Sequence, residues 1–308
     1  MDEGGIDAGR IDPHRIGESR ADSAGRAAGW MTRAPADDRA TGRAAFARHR
    51  LRPWGWAVGA AVLLAAGGGW LIHRHEMTAA LLRADPEVLL ATPTLRQAAL
   101  ARGHAVYDRA CASCHGGDGA GDRVMGVPDL RDDDRLYGEG LVAQIETIVL
   151  HGIRSHDARG WNLASMPAYG HAVPYDREAI APLSPADIHD VVQYVLAMGG
   201  KPADRDAAQR GAAIYAGRGG CYDCHSPDAQ GDTAIGAPNL TDDIWLYGHG
   251  TAQDIARSIT GGRQGVSPAF ARTLSPVEAR AVAAYVASLA PPSHARADMA
   301  QSSTVENR

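Results

Sequence analysis

The sequence predicts an all-α protein in which one N-terminal transmembrane helix is followed by two tandem helical domains. One long apolar stretch lies near the N-terminus, and a set of short motifs occurs twice in the rest of the chain. Within each copy, apolar residues also recur every three to four positions, as on one face of an α-helix. The length of 308 residues suits two or three segments better than one domain.

The apolar stretch from Trp54 to Ile72 contains 19 residues without a charge. At about 1.5 Å rise per residue, such a helix spans roughly 28 Å, close to the hydrocarbon thickness of a bilayer. Arginines crowd its N-terminal flank, so the positive-inside rule predicts a cytoplasmic N-terminus. The alternative is a cleaved signal peptide, whose apolar region is normally about 7–15 residues long. The longer run favours an anchor, which predicts a single-pass protein of a bacterial inner membrane with its later domains in the periplasm.

Four short motifs define an internal repeat. Three of them recur at a constant offset of 110 residues, and the fourth at 91, so the second copy is 19 residues shorter before its last helix. The fourth motif pairs Ser, Pro and an acidic residue, which is typical of a capped helix start. The pairs are Cys111-Ala-Ser-Cys114-His115 with Cys221-Tyr-Asp-Cys224-His225, Gly126-Val-Pro-Asp-Leu130 with Gly236-Ala-Pro-Asn-Leu240, Leu136-Tyr-Gly138 with Leu246-Tyr-Gly248, and Ser184-Pro-Ala-Asp187 with Ser275-Pro-Val-Glu278.

The Cys-x-x-Cys-His motif is the attachment signature of c-type haem. Cysteines one helical turn apart can each form a thioether to a vinyl group on one haem edge, and the adjacent histidine then lies beneath the iron. A redox dithiol or half a zinc site would be the alternative for a lone pair of cysteines. Here both pairs carry the histidine, and the chain has only these 4 cysteines. The sequence therefore predicts two covalently bound haem c groups in two tandem class I cytochrome c-like helical domains.

The sixth iron ligand decides what each haem can do, because a methionine opposite the histidine raises the potential and suits electron transfer. In the first repeat Met166 is preferred over Met125, since it lies in a loop ahead of the last helix. Aligning the prolines of the second repeat places Ser267 where Met166 stands in the first. The second haem is therefore expected to lack methionine, with His249 or no side chain as its sixth ligand.

These motifs divide the chain into six predicted segments, and the mild net charge of −5 does not favour nucleic-acid binding. The first and last segments are polar and are expected to be disordered. The segments are a disordered cytoplasmic segment 1–52, the transmembrane helix 53–74, a linker 75–95, cytochrome c domain 1 at 96–200, cytochrome c domain 2 at 204–290 and a disordered tail 291–308.

Residues 96–290 resemble the dihaem c-type cytochrome subunit (subunit III) of cbb-type cytochrome c oxidases. The resemblance is carried by the stretches 236–248, His151-Gly-Ile-Arg154 and Ser165-Met-Pro-Ala-Tyr-Gly170. It implies an electron-transfer subunit, not itself the catalyst, that accepts electrons from a periplasmic cytochrome c or the bc complex. It further implies haem–copper oxidase catalytic subunits as partners, and a ligand role for Met166. The chain departs from the family where Ser267-Pro268 replaces a Met-Pro and in the approach to its membrane helix.

Three functions remain open at this point. The first is the electron-transfer subunit of a cbb-type terminal oxidase in aerobic respiration. The second is a stand-alone, membrane-tethered dihaem carrier for another reductase or dehydrogenase. The third is an open-haem enzyme or gas sensor, which the missing methionine favours and the lack of an acid–base constellation beside Ser267 disfavours.

Overall fold

The computed structural model describes residues 53–172 and 181–291. Within these ranges the chain is helical and contains isolated β-bridges but no strand, in agreement with the predicted all-α class. The predictions for 1–52 and 292–308 lie outside the described residues. The helices are α1 (Pro53–Arg83), a 3-10 turn (Pro86–Val88), α2 (Pro93–Ala110), α3 (Ala112–His115), α4 (Val142–His151), α5 (Pro185–Met198), α6 (Arg205–Ala216), α7 (Tyr222–His225), α8 (Ala252–Gly261) and α9 (Pro276–Leu289).

Helix α1 is the one candidate membrane span in the described part of the chain, with a mean hydropathy of 1.6 and an apolar window that packs against no other residue. It continues nine residues beyond the predicted end at 74, through part of the segment predicted to be a linker. The cause is burial: Leu81 is 1% exposed and joins a core cluster with Leu89 and Ala99. The last two turns of α1 therefore belong to the folded body that follows.

Helices from different repeats pack together in pairs. The first helix of the first repeat, α2, packs against α9, the last helix of the second repeat, and α4 packs on the same α9. Conversely, α5 from the first repeat packs against α6 and α8 from the second. Glycines allow both close crossings, because a Cβ on Gly103 would lie 2.2 Å from the Ala281 carbonyl oxygen and one on Gly211 would lie 2.0 Å from that of Asp190.

Backbone hydrogen bonds also join the two repeats, at the loops before α5 and α9. Met166 exchanges both backbone hydrogen bonds with Arg263, and Ser267 exchanges both with Ile153. The Met166 loop thus pairs with the segment just after α8, and the Ser267 loop pairs with the segment just after α4. In both cases the partner segment belongs to the other repeat. We call residues 77–154 with 264–290 the outer unit, and residues 163–263 the inner unit.

Tyrosines of the Leu-Tyr-Gly motifs join the two units. The Tyr247 ring covers Gly126, and the Tyr137 ring covers Gly236, so closely that a Cβ on either glycine would lie within 2.2 Å of ring carbon. Both glycines also have positive φ angles, of 71° and 77°, which side chains tolerate poorly. The glycine of the Gly-x-Pro motif is therefore required for contact with the other unit.

Helices of the two predicted domains, 96–200 and 204–290, thus pack on one another across the boundary between the repeats. The described residues of the inner unit follow one another in sequence apart from the gap at 173–180, whereas the outer unit is assembled from two separate segments. Salt bridges follow the same exchange, since Arg109 pairs with Glu278 at 2.6 Å and Arg218 pairs with Asp187 at 2.5 Å. The acidic residue of each helix-start motif thus binds the arginine that precedes the other repeat's cysteines.

Candidate haem sites

The first Cys-x-x-Cys-His motif lies in the outer unit, where α2 runs directly into the short α3. The His115 Nδ1 atom is 3.4 Å from the Pro128 carbonyl oxygen. A carbonyl can only accept, so Nδ1 carries the proton and Nε2 keeps the lone pair that an iron ligand needs. Burial lowers the pKa of His115, which further favours this neutral form.

The second motif repeats this geometry in the inner unit. The His225 Nδ1 atom is 3.0 Å from the Pro238 carbonyl oxygen, and burial also lowers the pKa of His225. Tyr215 anchors the turn after the motif by donating its hydroxyl to the Ser226 carbonyl at 2.7 Å, as Tyr107 does for the Gly116 carbonyl at 2.8 Å. The proline of the repeated Gly-x-Pro motif thus orients the histidine through its carbonyl group. The repeated motif is visible in the sequence, but this role of its proline was not predicted.

The four cysteines form no disulfide with one another. Burial raises the pKa of Cys111 and Cys224, and it raises the pKa of Cys221 to about 11. A thiol with a raised pKa is protonated at neutral pH and reacts slowly, because the thiolate is the reactive form.

Buried polar atoms without partners provide a test of whether haem fits. Among the described residues, the Trp245 Nε1 and Tyr137 hydroxyl groups are buried donors that have no hydrogen-bond partner. Cations lie against the neighbouring rings: Lys201 is 5.1 Å from the Trp245 ring centroid, and Arg154 is 5.9 Å from that of Tyr137. Donors and cations of this kind suit haem propionates, with one donor and one cation in each unit, since a buried donor is costly unless it is paired. The residues present fit the group.

Met166 lies in the inner unit, which contains the second motif. Its side chain packs against the core cluster that includes Ile214, Ile259 and Trp245. Met166, predicted from the sequence as a ligand of the first haem, thus lies in the unit that contains His225. The reason is the packing of helices across the repeats, since Met166 precedes α5 and α5 packs on α6.

The remaining candidates occupy less enclosed positions. Met125 is 58% exposed, and the His249 side chain is exposed while its backbone amide donates to Asp254. Ser267 lies in the outer unit, next to Phe270, which packs in the cluster that also contains Cys111. Ser267 and Met166 make matching pairs of backbone hydrogen bonds, Ser267 with Ile153 in the outer unit and Met166 with Arg263 in the inner unit.

Family comparisons agree with the two-motif organisation. The cytochrome c family matches residues 100–199, and the family described as cytochrome c oxidase, cbb3-type, subunit III matches residues 206–286. Among curated relatives, the cbb3-type cytochrome c oxidase subunit FixP of Azorhizobium caulinodans is 40% identical, over 70% of this chain and 68% of its own length. The CcoP subunit of Rhodobacter capsulatus is 42% identical, over 68% of this chain and 66% of its own length.

A second FixP subunit, from Bradyrhizobium sp., is 38% identical, and the match covers 70% of each chain. A solved structure, the Kuenenia stuttgartiensis reducing HAO-like protein complex Kustc0457/Kustc0458, matches with a TM-score of 0.18 and 20% identity over 62% of this chain and 96% of its own, which is too weak a likeness to support an argument. Together, the two family matches cover both Cys-x-x-Cys-His motifs. The chain belongs to the family of cbb3-type cytochrome c oxidase subunits named CcoP or FixP, and it is a cytochrome c electron carrier of that family.

Proposed function

We propose that this protein carries two covalently bound haem c groups and passes single electrons between them, as the electron-transfer subunit of a cbb3-type terminal oxidase. The observation that carries the proposal is the duplicated site, in which each Cys-x-x-Cys-His motif has a buried histidine oriented by a proline carbonyl. Haem would supply the one-electron iron chemistry. The attachment residues are Cys111 and Cys114 for the first haem and Cys221 and Cys224 for the second, with His115 and His225 as proximal ligands.

The residues of this chain bind and orient rather than catalyse. His115 and His225 would present Nε2 to the iron, because Pro128 and Pro238 hold the opposite ring nitrogen. The donors Trp245 Nε1 and Tyr137 hydroxyl would bind propionates. The apolar clusters of the two units would exclude water from the haem.

The location and partners follow from the anchor and the family. Helix α1 is long and apolar enough to cross a bilayer, and the arginines ahead of it favour a cytoplasmic N-terminus with the haem units in the periplasm of a bacterial inner membrane. A membrane-bound electron carrier of this family would deliver electrons to the catalytic oxidase subunits. A periplasmic cytochrome c or the bc complex would be the electron donor.

The test is purification of the full chain from cells that attach c-type haem, followed by intact mass measurement. We expect a mass increase of two haems, and an increase of one haem for the paired variants Cys111→Ala/Cys114→Ala and Cys221→Ala/Cys224→Ala. We also expect a copper-containing haem oxidase to co-purify with the tagged full chain. A single haem in the unaltered chain, or a doubly haemylated chain that purifies with no oxidase, would contradict the proposal.

A further inference from the structure

The two haem motifs differ in the loop that their unit supplies opposite the histidine. In the inner unit this loop contains Met166, whose backbone amide and carbonyl both pair with Arg263. In the outer unit the equivalent loop contains Ser267, which pairs in the same way with Ile153. The equivalence extends along both loops, because Tyr169 donates its amide to the Ile259 carbonyl as Phe270 does to that of Val149.

We infer that Met166 is the sixth ligand of the second haem, and that the first haem, attached at Cys111 and Cys114, has no protein ligand on its distal face and binds small neutral gases such as carbon monoxide. The inference rests on the proposed function, since it presupposes two attached haems. The order of the repeats suggests that Met166 serves the first haem, and this inference reverses that assignment. The Met166 loop belongs to the first repeat but lies in the unit of Cys221 and Cys224, and the Ser267 loop belongs to the second repeat but lies in the unit of Cys111 and Cys114.

Met166 is suited to the second haem by its surroundings. It packs against the cluster formed by α5, α6 and α8, together with Leu240 and Trp245. Leu240 follows the Pro238 that orients His225, so the cluster reaches both sides of the second motif. The Tyr169 hydroxyl then ties the methionine loop to the motif itself by donating to the Gly219 carbonyl at 2.6 Å, two residues before Cys221.

The outer unit offers no comparable ligand among its described residues. A serine hydroxyl binds haem iron weakly, whereas methionine, histidine, cysteine and tyrosine are the usual protein ligands. Met125 is 58% exposed, and Met77 belongs to the end of α1. His151 is the remaining histidine near the Ser267 loop. Its Nδ1 is 3.0 Å from the Asp157 carboxylate, which leaves Nε2 with a lone pair, so the experiment includes His151→Ala.

The experiment uses the reduced, full-length dihaem protein with ¹³C-labelled methyl groups on Met, Ile, Leu and Val. A methionine methyl bound to ferrous haem is shifted far upfield by the ring current, so we expect one such signal, lost in Met166→Leu and retained in the control Met125→Leu. Its nuclear Overhauser contacts should lead to the inner-unit methyls of Ile255 or Ile259. Contacts to Val149 of the outer unit would overturn the crossed assignment.

Carbon monoxide tests the open face in the same sample. We expect its addition to shift the Val149 methyl signals and to leave those of Ile259 unchanged. In Ser267→Met we expect a second upfield methionine methyl and the loss of the carbon monoxide response. His151→Ala should leave carbon monoxide binding unchanged.

Two outcomes would contradict the inference that the first haem has no protein ligand on its distal face. One is no carbon monoxide response in the unaltered protein, and the other is a response that appears only in His151→Ala, which would make His151 the sixth ligand. Intact mass separates these failures from failure of the proposed function, because a chain that lacks two haems contradicts the dihaem assignment itself. A chain with two haems and the wrong contacts contradicts only the crossed ligation.

Discussion

The inner and outer units have the same helical plan but differ in how the chain builds them. The described residues of the inner unit come from one part of the chain, 163–172 and 181–263, in which the Met166 loop and α5 precede the second Cys-x-x-Cys-His motif. The outer unit combines residues 77–154 with residues 264–290. Its helix α9 also contacts the segment just after α1, since Arg280 donates to the Ala84 carbonyl at 3.2 Å and pairs with Glu146. A sequence repeat and a spatial unit are therefore different objects in this protein, and a residue's role depends on the second.

Truncation should break this comparison most severely. A chain that ends at Gln264 keeps the whole inner unit but loses α9, against which both α2 and α4 pack. We expect the second haem to keep a methionine-to-iron charge-transfer band in near-infrared magnetic circular dichroism, while the outer unit becomes sensitive to protease. A chain that ends at Pro291 is the control and should keep both units intact. Loss of the methionine band in the Gln264 chain would contradict the exchanged fold.

Adding one methyl group at a helix crossing should unfold one unit at a time. Gly103→Ala places a Cβ 2.2 Å from the Ala281 carbonyl oxygen in the outer unit, and Gly211→Ala places one 2.0 Å from that of Asp190 in the inner unit. Overpacking of this severity costs on the order of 3 kcal/mol. Hydrogen exchange should rise in α2 and α9 for the first variant, and in α5 and α6 for the second.

Gly117→Ala is the matched control for these two variants, because its Cβ would meet no atom within 4 Å. It should leave the exchange rates of both units unchanged. Hydrogen-exchange rates that rise together in α2 and α5 would indicate that these two helices of the first repeat pack on each other. That result would contradict the packing of α2 on α9 and of α5 on α6.

Removing one hydroxyl should make the inner unit resemble the outer one. Tyr169 binds the Gly219 carbonyl at 2.6 Å, whereas its counterpart Phe270 has no hydroxyl. Tyr169→Phe leaves that carbonyl without this donor, which should lower the free energy of unfolding by about 1–2 kcal/mol. Urea unfolding measures the loss, and the exposed Tyr222→Phe should be near neutral. An equal loss in both variants would argue against a specific hydrogen bond.

The smallest expected effect concerns equivalent aspartates in the two repeats. Burial raises the pKa of Asp132 to about 6, and its Oδ1 is buried without a partner, whereas Asp242 accepts from the Ile244 amide at 2.9 Å. An acid whose folded pKa is raised binds more protons in the folded state, so it makes stability fall as pH rises from about 4 to about 6.

Asp132→Asn should remove that pH dependence and raise stability at pH 7 by about 1 kcal/mol, a figure reduced for partial solvent exposure. Asp242→Asn weakens a hydrogen bond to a charged acceptor and should instead lower stability by about 1 kcal/mol. Thermal unfolding between pH 4 and pH 7 measures both. A pH slope that survives in Asp132→Asn would assign the titration to another group.

Local structure could be predicted from the sequence where a few residues determine it. The haem motifs, the apolar anchor and the starts of α5 and α9 were all predicted, because Ser184 and Ser275 form capping boxes with the acidic residues three positions later. The pairing of helices could not be predicted from the repeats, since both α5 and α9 present surfaces that fit a glycine-containing partner. Pairing of helices between the repeats and pairing of helices within each repeat would bury the same types of residue.

One signal for the exchange was present in the sequence. Only the residues from Gly199 to Asp204 separate α5 from α6. Connections this short between helices favour antiparallel neighbours that pack on each other. The placement of Met166 depends on that connection, so the ligand assignment could not be made from the methionine's own surroundings in the sequence.

With the proposed periplasmic location, the discontinuous outer unit would set the order in which the protein matures during export. The inner unit would have all of its parts once residue 263 had crossed the membrane, whereas the outer unit would wait for α9, although its own cysteines would emerge first. Contacts between α2 and α9 close a loop of well over a hundred residues, which slows folding relative to local contacts. The haem-attachment machinery would therefore meet Cys111 and Cys114 on an unfinished, accessible segment, and α9 would later complete the site nearest the anchor.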